Sequence, residues 1–364
     1  MIGKSFQLRN YSKLLASVVA VILGMLVGLI VLMVTHPESG WDGFVTLLLG
    51  SQPYGGIKAV GNILYYATPI MLTGLGVAFS FQAGVFNIGG PGQFIIGAFA
   101  AVYTAIKWTF LPDFLRWIVP CLCALLAGAL WAFIPGLIKA YFNVNVVIST
   151  IMMNYIGMYV VNYLTRLLIF DSTKGQSQSI PGAAQLPKIG LDKLFPGSSV
   201  HIGFVIAVFV AVVVHFLLNS TVFGYEIKAC GMNPDACKYA GVKEKRNTIS
   251  AIMISGGIIG LAGALLYLAA TGKHIIVVDK LAVEGFNGIA VALLASSSPL
   301  GVIISAIFVG YITVGGQYMQ RFGFVPEIVD IIIAVIIYFA AFVFLIQGYI
   351  EKFLLNLERK EAKE

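Results

Sequence analysis

Four carboxamide side chains stand in stretches otherwise nearly free of polar groups: Asn87 and Gln93 in AGVFNIGGPGQFIIGA (83–98), Asn154 in VISTIMMNYI (147–156) and Asn287 in VEGFNGIAVALLASSSPLG (283–301). Three of them adjoin an aromatic ring, Phe86, Tyr155 or Phe286. An amide beside a ring offers a donor, an acceptor and a flat apolar face, which suits a polar, ring-bearing solute; it supplies neither a nucleophile nor a proton relay. The same amides equally suit hydrogen bonds between helices, worth roughly 0.6 kcal/mol each in a membrane protein. No G-x-S-x-G, H-E-x-x-H, paired-carboxylate motif or G-x-x-x-x-G-K-[ST] occurs, so neither a catalytic residue nor an ATP-binding loop is expected in this chain. His36, His201, His215 and His274 are far apart, and no metal site is expected.

Such side chains need elements that hold them away from water. Of the 364 residues 59% are apolar and 11% charged, whereas about a quarter are charged in a soluble domain. Too few charges remain to cover a soluble surface, which excludes a cytosolic enzyme, a nucleic-acid binder and a secreted disulfide scaffold. The composition predicts an all-α polytopic membrane protein. Ten apolar runs, at residues 14–34, 59–81, 93–110, 117–138, 146–170, 200–218, 248–271, 285–298, 300–318 and 326–348, approach the roughly 20 residues that a crossing helix needs. The first follows Lys4, Arg9 and Lys13 and precedes His36-Pro37-Glu38, which resembles no cleavage site, so a retained anchor is expected.

The run at 285–298 is short for a straight crossing, yet charge argues for counting it. With ten crossings the amino terminus, Lys228, Lys238, Lys243, Lys245 and Arg246 of the loop 219–247, and Lys352, Arg359, Lys360 and Lys363 of the tail all fall on the cytosolic side, in keeping with the net charge of +7. The expected organisation is a cytosolic amino terminus (1–13), one transmembrane domain (14–348) with an external loop (171–199) and a cytosolic loop (219–247), and a cytosolic tail (349–364). The external loop suits either a docking surface for cargo delivery or a solvated connection.

Two of the runs are interrupted. Gly84, Gly89, Gly90, Pro91 and Gly92 make a continuous helix improbable, since glycine costs about 1 kcal/mol and proline about 3 in a helix interior. A second stretch with Phe-Asn near glycine, at 286–288, follows the seventh run as the first, at 86–89, follows the second. A separation of five crossings turns the two halves opposite ways, which predicts a 5+5 inverted repeat with two broken segments, the sequence mark of a substrate route. Gly24 and Gly28, and Gly256 and Gly260, form small-xxx-small pairs assigned to helix packing.

The loop 219–247 specifies one short helix. Asn233 is an N-cap residue, Pro234 suits the first helical position, Asp235 favours the positive helix end and Gly241 can take the left-handed stop, which predicts a helix from Pro234 to about Ala240. Its length is well under the 12 or so residues at which an isolated helix becomes marginal. It needs a surface, either a partner protein or the membrane face. Cys121 and Cys123 fall in an apolar run and Cys230 and Cys237 in this loop; all four are expected as reduced thiols that fill small apolar spaces.

FNIGGPGQ at 86–93, VISTIMMNYI at 147–156, NPDACKYAGV at 233–242 and GFNGIAVALL at 285–294 stand in an order that resembles the permease subunits of bacterial nucleoside ABC importers, part of the wider ribose and branched-chain amino-acid permease superfamily. The resemblance covers about residues 60–348. It implies a multi-pass subunit of the bacterial cytoplasmic membrane with both termini cytosolic. Its partners would be a sister permease forming a heterodimer, a cytosolic ABC ATPase that binds the ATP, and an extracytoplasmic substrate-binding lipoprotein; the chain itself would carry no cofactor and bind no nucleic acid. Asn233, Pro234, Asp235, Ala236, Tyr239 and Gly241 would form the helix that couples to the ATPase. Phe86, Asn87, Gln93, Asn154, Tyr155, Phe286 and Asn287 would line the nucleoside's route. Simple sugars or branched-chain amino acids are the alternative cargoes. An ion-coupled carrier is disfavoured because mid-span carboxylates are scarce, Asp330 being a first-turn residue of its run. The chain departs from the family pattern at Pro91, where an acidic residue is common, and at 296–298, where serines replace glycine.

Overall fold

A computed structural model describes residues 2–49, 55–342, 346–350 and 352. The predicted tail lies outside the described residues from 353 onward. Lipid offers no partner for backbone N–H and C=O groups, so each apolar run satisfies its own as a helix. The helices are α1 (Ile2–Thr35), α2 (Gly40–Leu49), α3 (Gly56–Gln82), α4 (Gly90–Lys107), α5 (Ile118–Phe142), α6 (Val146–Leu168), α7 (Leu191–Leu194), α8 (Gly203–Ser220), α9 (Val222–Met232), α10 (Pro234–Tyr239), α11 (Glu244–Tyr267), α12 (Val283–Leu294), α13 (Pro299–Met319) and α14 (Pro326–Ala341). All ten predicted runs contain a helix. Among the described residues, α1, α3, α5, α6, α8, α11 and α13 are long and apolar enough to cross a membrane by themselves.

The other three runs differ in kind. Helix α14 has 16 described residues, and α4 has 18 that begin only after the predicted break. Helix α12 has 12 residues, about 18 Å at 1.5 Å per residue, against a hydrocarbon core of about 30 Å. The crossing expected at 285–298 is therefore made by a half-helix preceded by non-helical chain. That chain leaves one end of the bundle, where Ile276 bridges to Gln176, and reaches the other at Ser297, whose carbonyl accepts from Gln82 Nε2 at 3.1 Å.

Helices α2 and α9 arise where loops are expected. Asp42 in the first turn favours α2, and the Thr221 hydroxyl caps α9 by accepting from the Gly224 amide at 3.1 Å. At the far end of the bundle a two-residue hairpin, β1 (Phe170–Asp171) with β2 (Gln176–Ser177), is pinned to the chain after α11 by Ser177 N–H to Ile275 C=O at 2.9 Å. The Thr173 hydroxyl and amide donate to Asp171 and hold its carboxyl below the ordinary range, so the hairpin turn keeps its charge.

Helices α3 and α11 form the centre: 89% and 78% of their apolar windows are buried, against 22% for α1 and 28% for α8. Helix α11 reaches α5 through glycines, because a Cβ on Gly128 would collide with the Gly256 carbonyl. The Gly24 and Gly28 pair likewise faces Ile336 and Ile332 of α14. Both small-residue pairs thus serve close helix packing.

Candidate functional site

Helix α3 stops because the chain turns at Gly84, whose φ of +69° suits a residue without a side chain. Residues 85–89 run without helix until Gly90, and Pro91 occupies the first turn of α4. Opening a helix inside a membrane exposes its first amides, and here two carboxamide side chains accept from amides at the break. Asn87 Oδ1 accepts from Gly89 N at 2.8 Å, and Asn154 Oδ1 of α6 accepts from Gly92 N at 2.9 Å. Asn154 Nδ2 donates to Ile88 O at 3.0 Å. Asn87 Nδ2 donates to Gln93 Oε1 at 3.2 Å and to Ser255 Oγ, midway along α11, at 3.1 Å. Asn87, Gln93 and Asn154 are all buried, so their hydrogen-bonding capacity goes largely into shaping the break.

The two broken segments meet. A Cβ on Gly285 would lie 2.6 Å from Pro91 Cα, so the first turn of α12 lies backbone-to-backbone against the first turn of α4. The two helices then leave in opposite senses, α4 toward the β1–β2 end and α12 toward the α10 end. Phe286 and Asn287 are half-buried beside this junction, and Asn287 has no hydrogen-bond partner among the described residues. Phe86 and Tyr155 are exposed. Phe86 stacks on Phe81 with ring centres 4.9 Å apart and lines a cavity of about 470 Å³ with Val85, Lys139 and Asn145. Of the seven route residues predicted from sequence, the fold gathers three amides around one break, sets Phe86 at the wall of a cavity and leaves Tyr155 on open surface. Ser255, which accepts from Asn87, was not anticipated; a lone serine in an apolar run gives no local signal.

At the α10 end, the predicted short helix forms with the predicted caps. Asn233 Oδ1 accepts from Ala236 N at 3.0 Å, Pro234 is the first helical residue, Asp235 lies in the first turn, and Gly241, at φ +78°, ends the turn. The helix ends at Tyr239, one residue short of expectation. Its inner side chain, Cys237, packs on α9, while Tyr239 is 94% exposed and Met232, at the preceding bend, 85%. Four separate thiols are not what the structure contains. Cys230 and Cys237 are joined as a disulfide, with Cα atoms 5.2 Å apart, while Cys121 and Cys123 are free. Compartment argued for reduced thiols, but proximity is set by the fold-back of α10 on α9 at Asn233, which spacing alone does not reveal.

Helix α9 also touches the break. The Gly231 backbone lies against Gly84, so close that a Cβ on Gly84 would be 2.7 Å from Gly231 O. The short helix, α9 and the turn that ends α3 thus form one contiguous chain of contacts. Beside α10 a groove of about 600 Å³ is lined by four basic residues, Lys238, Lys243, Lys245 and Arg246, and one acidic, Glu244, with Lys245 Nζ 4.7 Å above the Tyr141 ring.

A family model described as "Branched-chain amino acid transport system / permease component" matches residues 59–341. The chain is similar to the guanosine ABC transporter permease protein NupP of Bacillus subtilis, at 37% identity over 334 residues, 92% of this chain and 94% of that one. It is similar to the nucleoside ABC transporter permease protein NupB of Lactococcus lactis subsp. cremoris, at 30% identity over 347 residues (93% and 94%). It is also similar to the glucose ABC transporter permease protein TsgB13 of Haloferax volcanii, at 30% over 291 residues (76% and 74%). The same Bacillus and Lactococcus strains each supply a second permease match, at 28% and 26% identity. No solved structure matches. With its helices, its paired breaks and these matches over most of its length, the chain belongs to the permease-component family of ABC importers and is a multi-pass membrane transport subunit.

Proposed function

We propose that this chain conducts a nucleoside across the cytoplasmic membrane, driven by an ATPase on a separate polypeptide. The pairing of permease matches within single organisms supports a heterodimer with a sister permease. A substrate-binding lipoprotein would deliver cargo to the β1–β2 end, and the α10 end, with both chain termini, would face the cytosol. Neither ATP nor a metal would bind this chain.

One observation carries the mechanism: α10, capped and exposed on its outer side, is linked through Gly231 to the Gly84 turn, two residues ahead of Phe86 and three ahead of Asn87. A helix of six residues cannot hold its shape alone. Placed between an ATPase and the break, it transmits a push with little loss. The basic groove beside it suits an acidic ATPase surface. Nucleotide-driven movement of α10 would shift α9, and through it the end of α3 and the start of α4, and so open the junction of α4 and α12 to one side or the other. The exposed rings and the free Asn287 amide would contact the cargo, while Asn87, Gln93 and Asn154 would hold the break in shape.

The test is uptake by the assembled importer carrying Asn233→Ala with Pro234→Ala. Membrane insertion should be normal and labelled guanosine uptake abolished; wild-type uptake would remove the coupling role. Competition by unlabelled adenosine, guanosine, ribose, glucose and leucine assigns the cargo, and only the nucleosides should compete.

A further inference from the structure

Helix α6 presents an unusual outer face. Tyr155, Tyr159 and Tyr163 recur at every fourth residue and are 47%, 56% and 66% exposed. Helix α5, which packs beside α6, exposes Leu122, Leu126 and Leu130, and α8, which packs on α3, α9 and α13, exposes Val205, Phe209 and Phe216. Those faces match lipid tails. A row of phenols does not, because a hydroxyl without a partner in hydrocarbon carries an unrelieved desolvation cost. None of the three hydroxyls has a partner among the described residues.

Tyrosine is common where helices leave the bilayer, but depth excludes that explanation for two of the three. From Val146, nine and thirteen residues at 1.5 Å per residue place Tyr155 and Tyr159 about 14 and 20 Å along α6, in the middle of a helix of 23 residues and away from both of its ends. The face begins beside Asn154, which holds the opening of α4, and rises past Asn162, whose amide donates to Val278 O at 3.0 Å and Asp279 Oδ1 at 3.1 Å. It therefore connects the α4 break with the chain segment that leads into α12.

Resting on the nucleoside reading above, we propose that Tyr155, Tyr159 and Tyr163 form an aromatic ladder on one wall of a water-filled cleft closed by the sister permease, and that Tyr159 and Tyr163 select cargo by stacking on its base. Rungs one helical turn apart, about 6 Å, let a flat ring engage the next face as it leaves the last. Water in the cleft satisfies the phenols when no cargo is present.

In proteoliposomes holding the complete importer with its ATPase, Tyr159→Ala and Tyr163→Ala should each raise the KM for guanosine about tenfold, the scale of one lost base–aromatic stack. Tyr159→Phe keeps the ring and should stay within about twofold of wild type, and Phe209→Ala on the lipid-like face should leave uptake unchanged. Tyr159→Cys should react with a membrane-impermeant charged thiol reagent above the wild-type background, and excess guanosine should block that reaction. Wild-type kinetics in both alanine variants, or an unreactive Tyr159→Cys, overturns the ladder and returns the stripe to lipid or dry subunit packing. An importer that accumulates glucose and no guanosine overturns the cargo reading first, and the stacking with it.

Discussion

A buried carboxamide can serve the protein or the cargo, and its neighbours decide which. Asn154 supports two backbone groups, the buried Gly92 amide and the partly buried Ile88 carbonyl. Asn154→Ala would leave both without this partner, at about 1–3 kcal/mol for the buried Gly92 amide. The expected result is a lower thermal midpoint in detergent, with uptake falling in parallel. Asn154→Asp keeps the acceptor for Gly92 and should lie between the two; an alanine variant that melts with wild type would show the bonds to be dispensable. The amides were legible as exceptions in an apolar chain, whereas their partner Ser255 was not, because it is contributed from 168 residues away. The departure at 296–298 also gains a physical meaning. Ser296 and Ser297 adopt φ of +47° and +57°, a left-handed turn after α12 that glycine would enter without strain.

Among elements, the short helix was the most legible and the break the least. Every cap of α10 lies within nine residues of sequence, so local chemistry alone specifies it. Helix α9, its foundation, was hidden inside a charged loop. Because α9 meets the break backbone-to-backbone, bulk at that contact should disconnect the two. Gly231→Val places side chain against the Gln82 carbonyl and the Gly84 amide. The assembled importer should then keep hydrolysing ATP while guanosine taken up per ATP falls several-fold, and Gly182→Ala, with open space around it, should change nothing. An unchanged ratio in Gly231→Val would cut the proposed link between α9 and α4. Helix α12 shows the opposite case: its apolar run suggested a crossing, but the chain reaches mid-membrane without helix and only then coils.

For the whole molecule, burial sorts the helices by task. Helices α3 and α11 are enclosed by protein, and α1, α5 and α8 turn most of their surface outward, as expected of a subunit bathed in lipid. On the proposed mechanism the moving parts would be the junction of two half-helices and a lever at one end, with the energy supplied by a separate ATPase. Purified chain reconstituted alone should therefore fail to concentrate labelled guanosine inside vesicles, and uphill uptake should appear only when sister permease, ATPase and binding protein are added with ATP. Accumulation by the single chain would refute the division of labour.

Composition determined the membrane class, because so few charges cannot cover a soluble surface, and spacing determined the helices, because lipid forces every long apolar segment to satisfy its own backbone. The short helix and its caps followed from residues a few positions apart. Contacts between distant segments were decided only by the tertiary structure: the meeting of Gly90 and Gly285, the bond from Asn87 to Ser255 and the seating of Gly231 on Gly84. Each depends on which helix faces meet. In a chain that is apolar on nearly every face, periodicity marks no preferred side, and packing alone makes the choice.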